Sequence, residues 1–296
     1  SEYYVFTLAK NASGENLLYY SIVDMKLNKG KGGISQLNQL VSPVPSTARL
    51  LASEGGQGYY WLVVQDMNSN NTRTFKVSNV GISAPQLSLG GTQMTSTTGN
   101  GSTTKISVDW TKMAVAIPGP PRNKVDLFDF NPSTGKPTYS MSLDLGASPP
   151  VVYGLEYSPN KDVLYVSLKG DGVSIPSKII QFDLSSKDSA KVAMSKAELY
   201  SSLEMLGALQ VDPIFNTVIF VAVDGSNTLA KITNPNGLLG STDTTIAKAS
   251  FVRNAVKFST PGVTSRLGLP PTIPSPSDDD SPPSITKPIC DGTVFK

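Results

Sequence analysis

The chain has no histidine, and Cys290 is the single cysteine among its 296 residues. The first absence removes Ser-His-Asp and Cys-His nucleophile pairs, imidazole-based zinc sites and the usual near-neutral general base. The second excludes an internal disulfide. Charge is also sparse: 16% of residues are charged and the net charge is +2, which does not suit a nucleic-acid-binding surface. No apolar run approaches the roughly 20 residues of a membrane helix, so membrane insertion is not expected. No signal peptide opens the sequence, so an exported protein would start after processing.

What is present is a recurring register of short strands. Residues 105–117 (KISVDWTKMAVAI), 154–168 (GLEYSPNKDVLYVSL) and 207–223 (GALQVDPIFNTVIFVAV) share one plan. A first strand runs into an Asp, Asn or Pro turn, and a strongly β-branched or aromatic second strand follows. The first two copies continue into a strand with an aromatic-Asp pair, VDLFDF (125–130) and KIIQFDL (178–184). Self-similarity at a period of about 50 residues predicts an all-β fold, a β-propeller of four-stranded blades with about five to seven blades. Whether this chain alone closes the ring is left open. The 25 glycines and 22 prolines, spread along the chain, fit many tight turns.

Towards the N-terminus, residues 3–9, 17–27, 48–53, 58–67 and 72–78 also read as strands, and Tyr60, Met113, Leu164 and Ile219 mark evenly spaced core strands. Residues 90–104, rich in Gly, Ser and Thr, read as an exposed excursion, with a ligand-binding loop as the alternative. The apolar spacing of residues 191–206 suits a short helix over a blade edge. Residues 1–270 form the propeller domain. Residues 271–296, dominated by Pro, Ser and Asp, read as an extended linker or tail. Ile285, Ile289, Val294 and Phe295 suggest that this tail docks on a neighbour by strand addition.

Several segments resemble one family. LLYYSIVDMKLNKGKGGI, LVSPVPSTARLLA, VDLFDFNPSTGK, YGLEYSPNKDVLYVS, IIQFDLSS, GALQVDP, ITNPNGLLG and TSRLGLPPTI follow in order across residues 17–273. They are similar to the WD40-like propeller region of gliding-motility-associated surface proteins of Bacteroidetes, the type B sorting-domain family of the type IX secretion system. The resemblance implies a secreted or cell-surface propeller. Family members usually carry further blade-like segments before the position of Tyr3 and a C-terminal sorting domain, so this chain would be a processed or partial chain or a smaller relative.

Individual residues carry weaker signals. Asp129 and Asp183 can form a charged ring around the axis, but Asx turns with the following residues are the simpler expectation. Asp278, Asp279 and Asp280 lack the spacing of a calcium loop and read as a solvated acidic tract. Asn11, Asn70 and Asn100 sit in N-x-[ST] triplets in expected turns. Arg266, a cation inside TSRLGLP, is the candidate for a structural hydrogen-bond role at ring closure. Tyr59 and Trp61 alternate with Tyr60 and are the candidates for an exposed binding patch.

No catalytic residue, cofactor site or metal ligand stands out. The sequence therefore reads as a non-enzymatic interaction or structural module for adhesion or assembly, binding protein or glycan surfaces and self-assembling through its tail. The alternatives are a propeller hydrolase or lyase with an Asp/Glu/Asn metal site, and a subunit of a larger extracellular filament or injection-type assembly.

Overall fold

The computed structural model describes residues 1–56, 58–99 and 103–269. Expectations for the tail, for Asp278–Asp280, for Cys290 and for Asn100 lie outside the described residues. Strands β1 (Glu2–Lys10), β2 (Asn16–Asp24) and the first half of β3 (Gly33–Gly56) form an antiparallel N-terminal unit. The second half of β3 then pairs with β4 (Tyr59–Asp66), which pairs with β5 (Asn71–Ser78). The short β6 (Gly81–Ile82) and β7 (Gln86–Leu89) complete this first blade.

Three four-stranded blades follow. Blade 2 is β8 (Thr104–Ile106), β9 (Lys112–Ile117), β10 (Arg122–Asn131) and β11 (Lys136–Ala147). Blade 3 is β12 (Val151–Tyr157), β13 (Val163–Lys169), β14 (Ser177–Asp183) and β15 (Ala197–Ser202). Blade 4 is β16 (Leu206–Val211), β17 (Val218–Val223), β18 (Thr228–Thr233) and β19 (Ser250–Lys257). The first strands β3, β8, β12 and β16 stand next to one another around the inside. This is a β-propeller of four-stranded blades, with two helices among the described residues, α1 (Leu27–Gly30) and α2 (Ser189–Met194).

The continuous apolar runs of the second strands of blades 2 and 3 follow from this stacking, because those blades are covered on both faces. Along β9, Met113, Val115 and Ile117 pack toward blade 1, while Ala114 and Ala116 pack toward blade 3. Along β13, Leu164, Val166 and Leu168 face blade 2, and Val163 and Tyr165 face blade 4. A half-exposed sheet would alternate polar and apolar residues. The turns between first and second strands repeat as well. Trp110, Lys161 and Asn216 hold left-handed φ values of 57°, 61° and 51°, and hydrogen bonds from Trp110 N to Ser107 O and from Lys161 N to Ser158 O close two of these turns.

Two local expectations are corrected. The segment 191–206 is not one helix: α2 ends at Met194 and β15 begins at Ala197. Asp188 caps α2 by accepting from Ala190 N at 2.9 Å, and Val192 is its buried residue. Beyond it, the backbone gains more by pairing with β14 than by extending a short helix. Nor is the polar segment after β7 a free excursion. Met94 is buried between blades 1 and 2, and Thr92 N donates to Asp126 at 2.5 Å.

Candidate functional site

Charged side chains hold the inside of the arc at two places. Arg49 on β3 donates from Nη2 to Thr98 O at 2.6 Å and to Ala116 O at 2.7 Å, tying blade 1 to blade 2. Burial lowers this guanidinium to about 10, against the opposing pull of Asp126, so it stays charged at neutral pH. Further along, Lys105 on β8 pairs with Glu156 on β12 at 2.9 Å and reaches Gln210 Oε1 on β16 at 2.9 Å. One ammonium thus joins the inner strands of blades 2, 3 and 4. Glu156 also accepts from Val211 N at 2.8 Å and Tyr157 N at 3.0 Å. With both oxygens satisfied, this cluster works as a clasp.

A second group of polar side chains, with the exposed carboxylate of Asp129 among them, lies between blades 2 and 3. A cavity of about 260 Å³ is lined by Lys112, Phe128, Asp129, Tyr157, Ser140 and Ser186, with Leu184 and Val192 as its apolar wall. Lys112 on β9 and Asp129 on β10 are direct cross-strand partners. Their side chains share one face, with Cβ atoms about 5 Å apart. Among the described residues no ion pair joins them: Lys112 Nζ instead reaches across to Leu184 O of blade 3 at 3.5 Å. The Asp129 carboxylate makes no hydrogen bond to the described residues. The turn after it is held by Asn131, whose Oδ1 accepts from Ser133 N at 3.0 Å and Thr134 N at 3.2 Å. Tyr157 forms the floor, and burial raises its phenol well above the ordinary value, with Asp129 adding to the shift. It therefore stays protonated and able to donate. A carboxylate, an ammonium and a phenol around a small cavity can take a proton from water and stabilise a developing oxyanion.

The residues singled out in the sequence are distributed differently. Asp183 does make the expected Asx turn, accepting from Ser185 N at 2.9 Å, whereas Asp129 does not. Tyr59 and Trp61 do not form an exposed patch. Trp61 is buried and donates from Nε1 to Pro132 O at 2.6 Å, and Tyr59 packs edge-on against it beneath Lys76. The exposed member of the run is Tyr60, because the face shared by Tyr59 and Trp61 is the one that blade 2 covers. The seam role does not fall to Arg266, whose side chain is exposed. The backbone beside it bonds to blade 4: Ser265 N donates to Ser226 O at 2.7 Å, and Ala208 N donates to Leu267 O at 2.7 Å. Arg266→Ala is accordingly expected to change unfolding stability by less than about 0.5 kcal/mol in urea denaturation. Asn11 sits in an Asx turn of its own, accepting from Ser13 N and Glu15 N. Sequence reasoning missed Lys112 and Tyr157. Their signal was the pairing of the β9 and β10 runs, which sets Lys112 against Asp129.

No protein-family model matches the chain and no curated protein matches it. Solved structures share the propeller fold. A candidate 6-phosphogluconolactonase from Bacteroides uniformis is 14% identical over 83% of this chain and 69% of that one, with a TM-score of 0.48. The periplasmic gluconolactonase of Pseudomonas aeruginosa is 14% identical over 84% and 68%, with a TM-score of 0.49. A candidate 6-phosphogluconolactonase from Bacteroides fragilis is 10% identical over 85% and 69%, with a TM-score of 0.46. These neighbours are described as enzymes, which stands against the expectation of a non-enzymatic interaction module. The likeness is one of fold, so the chemistry has to come from this chain's own side chains.

Proposed function

We propose that the chain is a propeller hydrolase that opens a small hydroxylated cyclic ester in the cavity between blades 2 and 3. The observation that supports this reading is the Lys112–Asp129 pair, held opposite one another with no ion pair between them and the Tyr157 phenol at the floor. The cavity is just below the range of about 300–1,000 Å³ usual for ligand pockets, which suits a ligand of one sugar ring. The neighbouring serine hydroxyls, with Lys187 at the rim, offer hydrogen bonds to hydroxyls and to the acid formed. Among the described residues no three His, Cys, Asp or Glu side chains stand together as a metal site.

Asp129 accepts a proton from water as the water oxygen attacks the ester carbonyl carbon. Lys112 and Tyr157 donate to the carbonyl oxygen as it becomes negative. The bond from that carbon to the ring oxygen then breaks, and the proton held by Asp129 passes to the departing alkoxide, leaving a hydroxy acid. The family resemblance supports an exported location for this activity.

The test is hydrolysis of δ-gluconolactone and a panel of other sugar lactones followed by alkali uptake at constant pH, corrected for the spontaneous reaction. The wild-type chain is expected to exceed the blank on at least one lactone, and Asp129→Asn to lower that rate about 100-fold or more. Lys112→Met should lower it at least about 10-fold. A wild-type rate equal to the blank across the panel, or an Asp129→Asn variant as active as wild type, would overturn the reading.

A further inference from the structure

On the far side of blade 1 a second cavity, about 400 Å³, opens between the N-terminal unit and the sheet. The rings of Tyr4, Phe6 and Tyr60 stand on one side of the strands over a floor that includes Leu62, and Tyr3, whose side chain alternates to the other face of β1, contributes only its edge to the lining. Tyr60 is 46% exposed, more than packing alone requires of so large a ring. The fold places these rings together. Tyr4 and Phe6 stack at 5.9 Å on one face of β1 and pack against β4 and β5, and Tyr60 projects from β4 beside Leu62 on the same side. Among the described residues the only charged side chain that lines the cavity is Glu2.

We propose that this cavity is an aromatic cage for a compact organic cation, a quaternary or alkylated ammonium. Aromatic faces carry negative electrostatic potential and attract cations within about 6 Å of the ring centre. Two phenols and a phenyl with one carboxylate, and no lining cation, complement a positive ligand of low hydration. A neutral apolar ligand would gain nothing from Glu2, and a strongly hydrated ammonium would lose its water to walls with few acceptors. The same strand already shows the interaction, for Lys76 Nζ sits 3.9 Å from the centre of the Tyr59 ring. The cage lies on blade 1, whereas the proposed lactone site lies between blades 2 and 3, so the two proposals stand or fall separately.

The experiment is calorimetric titration of the full chain with choline and with its uncharged isostere 3,3-dimethylbutan-1-ol. Choline is expected to bind saturably and at least 10-fold more tightly than the alcohol. Tyr60→Ala and Glu2→Gln, both exposed positions, should each weaken choline at least 5-fold while leaving lactone hydrolysis unchanged. Sedimentation with phosphatidylcholine vesicles distinguishes the source: co-sedimentation lost in Tyr60→Ala assigns a lipid headgroup, and choline binding without it assigns a free solute. Equal binding of choline and the alcohol, binding of neutral sugars only, or choline affinity unaffected by both variants would overturn the cage.

Discussion

Lys105→Met is expected to destabilise the propeller by about 3–5 kcal/mol at pH 8, because it leaves a buried carboxylate without its counter-charge. Glu156 is buried, and Lys105 is the cation that compensates it, at 2.9 Å. The loss should depend on pH, and its sign follows from the direction of the Glu156 shift. Burial raises the Glu156 carboxyl above the ordinary carboxylate value, and Lys105 opposes that rise. A carboxyl raised in the folded state binds more protons there than in the unfolded chain, so the stability it contributes falls as pH climbs from the unfolded value through the folded one. Without Lys105 the folded value moves further up, the window widens and the high-pH penalty grows. The difference between wild type and Lys105→Met in urea denaturation should therefore be small near pH 4.5 and large at pH 8. Adding Glu156→Gln to Lys105→Met should recover much of the loss at pH 8, since no charge then remains to be compensated. Equal losses at both pH values would show that the methionine disturbs packing and that the charge is incidental.

The strands were legible because blade packing leaves a strong local trace. The β13 and β17 runs are β-branched and apolar on both faces, and such runs bounded by Asp, Asn and Pro turns have few other readings. The same two-sided burial hid the faces. In Tyr59–Tyr60–Trp61 alternation separates Tyr60 from its neighbours, but it cannot say which side meets blade 2, so the exposed residue was assigned with the wrong parity. The site was less legible than the fold. Asp129 was visible as a carboxylate, and its Asx-turn expectation failed because Asn131, two residues on, takes the turn's amides. Lys105, Glu156 and Gln210 are separated by about 50 residues each, a distance set by the repeat, and nothing local marks three polar side chains as meeting at the inner strands. Residues 191–206 satisfied a helical period over their first turns only. Pairing with β14 decided the rest, and that pairing is not local.

Gly207→Ala is expected to cost about 2–3 kcal/mol, and the larger Gly207→Val more, although neither position nor residue suggests a turn. Gly207 lies in β16 with ordinary strand backbone, yet a Cβ built there falls on the backbone of Leu267. Gly154 occupies the matching place in β12, and its Cβ would lie 2.8 Å from Gly207 O and from Ser167 Oγ. Both first strands carry a register shift at this point, between Val152 and Leu155 and between Leu206 and Leu209. The inner edge thus stacks backbone on backbone: Gly154 against Gly207, and Gly207 against Leu267. A side chain at Gly207 must push the segment 265–267 away, which endangers the hydrogen bonds Ala208 N–Leu267 O at 2.7 Å, Gly225 N–Ser265 O at 2.9 Å and Ser265 N–Ser226 O at 2.7 Å. At roughly 1 kcal/mol net for each bond, their loss alone accounts for the expected cost. Gly240 is the control, because nothing lies within 4 Å of its built Cβ, and Gly240→Ala should stay within about 0.5 kcal/mol of wild type. Hydrogen exchange gives the sharper reading. In Gly207→Ala the amides of Ala208, Gly225 and Ser265 should lose protection while those of β13 keep theirs. A variant with unchanged urea midpoint and intact protection at Ser265 would show that the 265–267 segment does not close the inner edge of blade 4.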